Sequence, residues 1–132
     1  MSVGLDTSVL LRLLTGTPED QAKQALADVQ ERLSRSEIIV VSDLVIAEAY
    51  FALHYHYHVP KADALRLLEA FLAEAGISSL GYAPTVLATP NLATANPGFV
   101  DRLIHAEYKA KAGLMLTFEK KAARLPGVKV LS

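Results

Sequence analysis

The chain contains no cysteine and no tryptophan. Without cysteine, the protein can form neither disulfides nor thiolate metal sites. No apolar run approaches the roughly 18 residues that a membrane span needs. The N-terminus also lacks the order of a basic region followed by an apolar region that marks a signal peptide. We therefore expect a soluble, cytoplasmic protein with no membrane partner.

The composition is that of a globular domain with a sizeable core. The chain has 132 residues, of which 52% are hydrophobic, and we find no linker, repeat or low-complexity segment. This predicts a single domain over residues 1–132. The net charge of -1 conceals an asymmetry, because residues 1–101 carry 12 acids and 6 bases whereas residues 102–132 carry 7 bases and 2 acids. The basic segment could contact a phosphate backbone, although a solvated helix face would have the same composition.

Short β-branched or apolar runs alternate with amphipathic helical patterns along the chain. Strands are predicted near residues 3–5, 38–41, 77–80, 114–118 and 128–131. Helices are predicted after residue 6 and over residues 18–34, 42–56, 61–74, 99–111 and 119–125. This alternation predicts an α/β fold with a mainly parallel central sheet flanked by helices. We expect the helix at 42–56 and the strand at 114–118 to be buried, and residues 81–98 to form a loop with one helical turn.

Asp6 lies where the first predicted strand ends and the first helix begins. In open α/β sheets, ligands bind at the carboxyl ends of the strands. Asp6 is therefore a candidate ligand-binding residue. The alternative is that Asp6 belongs to a helix start and has no other role.

Glu48 is the one charge in the middle of an otherwise apolar helix. A buried carboxylate requires a partner. Glu48 should therefore face a polar cleft, bind a cation, or pair with an arginine such as Arg12 or Arg102.

Two further acids are predicted at the same edge of the sheet. Glu119 follows the fourth strand, and Asp101 lies in the first turn of the helix at 99–111. Right-handed crossovers bring these positions to the edge where Asp6 and Glu48 lie. Four such acids cannot all stay ionised unless cations join them. Oxygen ligands of this kind suit Mg²⁺ or Mn²⁺, so the pattern predicts metal-assisted phosphoryl chemistry.

His54 and His58 are four residues apart, which is a spacing that can place two imidazoles on one metal ion. No acid of a metalloprotease motif lies between them, and they fall where the helix approaches Pro60. We favour a partly exposed aromatic helix end over a metal site here.

Four segments in this order resemble the PIN-domain nucleases and, among them, the VapC-type toxins of bacterial and archaeal toxin–antitoxin pairs. The segments are residues 3–10 (VGLDTSVL), 42–48 (SDLVIAE), 99–104 (FVDRLI) and 116–121 (LTFEKK), the last leading to residues 125–128 (LPGV). The resemblance covers nearly the whole chain and implies a PIN fold. Residues 82–97 fit the family poorly, and nothing is carried over from them.

The resemblance implies which residues form the site. Asp6, Glu48 and Asp101 match the three main acidic positions of the family. Glu119 falls at the fourth position, where an Asp is more usual. Thr117 matches a hydroxyl that supports the site, and Ser8 matches a small polar residue beside the first acid.

The resemblance also implies an activity. A protein of this type would be a Mg²⁺- or Mn²⁺-dependent endoribonuclease that cleaves RNA with a metal-activated water. It would form a homodimer and be inhibited by a cognate antitoxin protein. Arg102 and Lys120 are the bases nearest the acids in sequence and could contact phosphate.

Two alternatives remain open at this point. One is a catalytically silent PIN domain that binds RNA or protein, for which the departure at Glu119 is the only support. The other is a small doubly wound domain of the receiver type, which also gathers acids at a sheet edge. Paired acids in the first loop and a late lysine, which a receiver would need, are absent.

Overall fold

The computed structural model describes residues 1–132. The chain divides into two compact units, Met1–Leu80 and Gly81–Ser132. The prediction of one domain over residues 1–132 remains a prediction. None of the helices has the length and apolar character required to cross a membrane.

The first unit combines a three-stranded parallel sheet with four helices. Its elements are, in chain order, β1 (Ser2–Gly4), α1 (Thr7–Thr15), α2 (Glu19–Ser34), β2 (Ile38–Val41), α3 (Asp43–Tyr55), α4 (Lys61–Leu72) and β3 (Ile77–Ser79). The strand order is β1-β2-β3, so β2 is central. Ser2 aligns with Ile38, and Ile39 aligns with Ile77. The predicted parallel α/β architecture is confirmed for this unit.

The core of this unit forms where helices cover the central strand. Ile39 on β2 is fully buried, as are Leu10 on α1, Ile46 on α3 and Leu68 on α4. Burying side chains of this size contributes about 1.5–3 kcal/mol each. Helix α1 ends at Gly16, whose φ of 71° lets its N–H bond the carbonyl of Arg12.

Helix α3 begins as its sequence predicts, but it is not buried all round. The Ser42 hydroxyl caps the helix by accepting from the Val45 N–H at 3.2 Å. Leu44, Phe51 and Tyr55 are 72%, 44% and 64% exposed. The prediction of a largely buried helix is wrong, because α3 packs on α1 and α4 through its other side and leaves this stripe uncovered.

The second unit has a two-stranded parallel sheet. Its elements are α5 (Ala83–Leu87), a 3₁₀ helix (Leu92–Thr94), α6 (Phe99–Lys111), β4 (Met115–Thr117), a second 3₁₀ helix (Lys120–Arg124) and β5 (Val128–Val130). Strands β4 and β5 are in parallel register, with Met115 opposite Val128. Residues 81–98 contain α5 and the first 3₁₀ helix, whereas the sequence predicted a loop with one helical turn.

A small core holds the second unit together. Phe99 and Leu103 of α6 are buried, and buried His105 contacts the Pro126 carbonyl through Nε2 at 2.7 Å. A carbonyl can only accept, so this contact fixes the tautomer with a proton on Nε2. The prediction that the strand at 114–118 is buried is wrong. Leu116 and Phe118 are 58% and 74% exposed, because β4 pairs with β5 alone within this unit.

Candidate active site

Asp6 occupies the N-cap position of α1 with extended backbone, but its side chain makes no capping hydrogen bond. Its backbone carbonyl accepts from the N–H groups of Val9 and Leu10, each at 3.1 Å. The exposed carboxylate instead accepts from the Ser8 hydroxyl at 3.2 Å. The alternative of a capping role therefore does not account for the Asp6 side chain.

Glu48 is tied to the same turn by a different hydroxyl. Thr7 Oγ1 donates to Glu48 Oε1 at 2.8 Å, joining residues that are 41 positions apart. Because α1 packs on α3, two successive residues, Thr7 and Ser8, hold the carboxylates of Glu48 and Asp6. The structure thus brings together two of the predicted acids and the predicted Ser8 within the first unit.

Both arginines that the sequence offered as partners of Glu48 have hydrogen-bond partners within their own units. Arg12 donates from Nε to Gln21 Oε1 at 2.9 Å, and Arg102 donates from Nε to the Pro97 carbonyl at 2.7 Å. Glu48 is exposed, so the argument that burial obliges it to have a partner is wrong. The Glu48 carboxylate is instead accessible, is oriented by Thr7 and forms no ion pair.

The remaining predicted residues lie together in the second unit. Asp101, Thr117 and Glu119 line one pocket of about 170 Å³ beside α6 and β4. The Thr117 hydroxyl accepts from the Glu119 N–H at 3.0 Å. The Glu119 carboxylate accepts from the Lys121 N–H at 3.4 Å and caps the second 3₁₀ helix. Glu119 therefore has a structural contact that Asp101 lacks.

None of the four acids forms an ion pair. The ion pairs of the structure join Lys23 to Glu19, Arg32 to Asp28 and Glu37, Arg35 to Glu31, and Arg66 to Asp63. Neither unit by itself gathers three or more His, Cys, Asp or Glu side chains in a group that could hold a metal ion. Each unit instead supplies one pair of carboxylates with a supporting hydroxyl.

The chemistry of these donors fits a hard divalent cation. The four predicted ligands are carboxylates on exposed residues that form no ion pair, and hydroxyls hold two of them, Glu48 and Asp6. Such oxygen donors suit Mg²⁺ or Mn²⁺. The histidine pair does not compete with them, because His54 Nδ1 contacts the Val59 carbonyl at 3.0 Å and the ring packs edge-on against Tyr55. This helix end agrees with the interpretation that we favoured from the sequence.

The sequence did not lead us to assign a role to Thr7. The signal was present, since a hydroxyl directly follows Asp6. Its partner Glu48 could not be identified from local sequence, because the contact depends on how α1 packs on α3.

Comparison with known proteins supports the fold. A search of the curated proteins and a search of the solved structures both gave no match. The model of the PIN domain family matches residues 3–128, which is almost the entire sequence. PIN domains are generally metal-dependent nucleases with a parallel α/β fold. The chain therefore belongs to the PIN domain family.

Proposed function

We propose that this chain is a Mg²⁺- or Mn²⁺-dependent endoribonuclease with Asp6, Glu48, Asp101 and Glu119 as its metal ligands. The observation that carries the proposal is that two consecutive hydroxyl residues, Thr7 and Ser8, hold the exposed carboxylates of Glu48 and Asp6, neither of which forms an ion pair. Membership of the PIN family supports the nuclease class.

The metal would supply Lewis-acid activation of a water molecule and neutralise charge at the phosphate. The chain's own residues would prepare the site for it. Thr7 and Ser8 orient the carboxylates of Glu48 and Asp6, so that these need not reorganise on metal binding. Thr117 accepts a hydrogen bond from the Glu119 N–H and so helps to fix the backbone at this position.

The basic segment would bind the RNA backbone. No base among residues 102–132 forms an ion pair, and the Lys120 side chain is exposed next to Glu119. Unpaired cations on an exposed surface favour a polyanionic substrate.

We further propose that the protein acts as a VapC-type toxin in the cytoplasm, as a homodimer that a cognate antitoxin inhibits. Support comes from the family resemblance of the four motif segments. Exposed Leu26 on α2 and Leu67 on α4 provide apolar surface for a protein partner.

The test is cleavage of total RNA by purified protein in Mn²⁺ or in EDTA. The variants are Asp6→Asn and Glu48→Gln, and the matched control is Glu69→Gln, which removes an exposed carboxylate from α4. We expect cleavage that requires metal, is lost in both site variants, and persists in the control. Full turnover by Glu48→Gln would refute the assignment of Glu48. Absence of both cleavage and Mn²⁺ binding in the unaltered protein would favour a catalytically silent binding module.

A further inference from the structure

Two arginines of the second unit are held on consecutive backbone carbonyls. Arg102 of α6 donates from Nε to the Pro97 carbonyl at 2.7 Å. Arg124, at the end of the second 3₁₀ helix, donates from Nη1 to the Asn96 carbonyl at 3.1 Å. Residues 22 positions apart in the chain therefore place their guanidinium groups at the same short loop. We refer to Arg102 and Arg124 as the arginine pair.

The arginine pair retains most of its hydrogen-bonding capacity. A guanidinium group has five N–H donors, and in each of these two groups one donor is hydrogen-bonded to a loop carbonyl. Neither Arg102 nor Arg124 forms an ion pair with a carboxylate. Because carbonyls carry no net charge, the two positive charges remain uncompensated while the side chains are held in place. A fixed, unpaired guanidinium is suited to bidentate binding of a phosphate.

The loop that holds the arginine pair borders the acids of the second unit. Pro97 lines the same pocket as Asp101 and Glu119. A polyanion that approaches two carboxylates is repelled by them, and two adjacent cations offset this repulsion. The two guanidinium groups are thus held on a loop of which one residue, Pro97, lines the pocket of Asp101 and Glu119.

We propose that Arg102 and Arg124 together bind one phosphate group of the RNA backbone. This inference rests on the proposed ribonuclease function and adds a substrate-binding site to it. In the sequence, Arg102 and Lys120 are the bases nearest the acids. Arg124 is identified only in the structure, by its hydrogen bond to the loop that also holds Arg102. The competing explanation is that both arginines merely secure the loop at residues 96–98.

The test measures how RNA affinity depends on salt. Arg102→Gln and Arg124→Gln are introduced into the Glu48→Gln background, so that RNA stays intact. Binding of a fluorescein-labelled single-stranded RNA of mixed sequence is followed by fluorescence anisotropy over a range of KCl concentrations in Mg²⁺. The matched control is Lys61→Gln, which removes an exposed positive charge at the start of α4 in the first unit, outside the basic segment.

We expect the double variant Arg102→Gln/Arg124→Gln to reduce the slope of log affinity against log salt by about 0.7, the value for one phosphate contact on a single strand, and each single variant to account for part of this reduction. Affinity should fall about tenfold for each lost charged contact. Arg124→Lys should keep the salt slope while losing part of the affinity, because it retains the charge without the guanidinium fork. The control variant should keep both the salt slope and the RNA affinity of the Glu48→Gln protein.

The outcomes separate this inference from the function on which it rests. If both glutamine variants keep the salt slope while the unaltered protein cleaves RNA in a metal-dependent way, phosphate binding by the arginine pair is overturned and the ribonuclease function stands. A lower melting temperature without a change of slope would likewise overturn it, because that is the result expected if the arginines only secure the loop. An unaltered protein that neither cleaves nor binds RNA would overturn both.

Discussion

The hydrogen bond from Thr7 to Glu48 gives the sharpest prediction for the proposed metal site. Thr7→Val removes the hydroxyl and keeps the shape of the side chain. The bond is 2.8 Å long and ends on a carboxylate, and bonds to charged groups contribute about 1.5–3 kcal/mol. Because Glu48 is exposed, we take the lower end of this range. A loss of about 1.4 kcal/mol corresponds to roughly tenfold weaker Mn²⁺ binding, within the 10–100-fold typical of residues that orient a metal ligand.

Mn²⁺ affinity is measured by calorimetric titration of the unaltered protein, Thr7→Val and Thr7→Ser. Thr7→Ser should bind the metal normally, because it keeps the hydroxyl. Thr15→Val is the matched control on the same helix, where the hydroxyl bonds the Leu11 carbonyl at 2.7 Å and faces no predicted ligand. Equal Mn²⁺ affinity in Thr7→Val and the unaltered protein, with both folded, would refute the reasoning that Thr7 orients a metal ligand.

Two predictions concern stability. Ser42→Ala should lower the free energy of unfolding by about 1 kcal/mol in urea titrations, because it removes the cap on the Val45 N–H; an unchanged midpoint would show that this cap contributes nothing. Gly76→Ala should destabilise by at least about 1 kcal/mol, because φ is +82° and a Cβ would lie 2.5 Å from Leu33 Cδ2. Gly113→Ala is its control, since a Cβ there meets nothing within 4 Å, and equal losses at both glycines would contradict the steric argument.

Elements with a strong local signal were predictable from the sequence. The cap at Ser42, the β-branched strand at Ile38–Val41 and the helix at Phe99–Lys111 follow from the side chains of those segments themselves. The predicted positions of Asp6 and Glu119, directly after strands, also follow from local pattern. In these places the structure agrees because neighbouring residues alone determine the conformation.

Burial and long-range pairing were not predictable in the same way. The apolar residues of α3 and β4 indicated buried elements, yet Leu44 and Phe118 are largely exposed. Burial depends on what lies opposite a face, and no local pattern encodes that. The same reason explains why the Thr7–Glu48 bond was missed and why Arg124 was not singled out. Each of these contacts joins distant segments through helix packing or a loop carbonyl.

The parallel pairing of the strands also constrains how the chain folds as it is synthesised. Ser2 pairs with Ile38, 36 residues later, whereas Met115 pairs with Val128 after only 13 residues. Closing the longer loop costs about 0.9 kcal/mol more in chain entropy, and such non-local pairing slows folding. The strand that precedes Asp6 is synthesised first. The Asp6 carboxylate reaches its folded surroundings only after β2 and α3 have been synthesised. A nascent chain that stops short of α3 would therefore carry Asp6 and Thr7 without Glu48, so the hydrogen bond between Thr7 and Glu48 can form only after α3 has been synthesised.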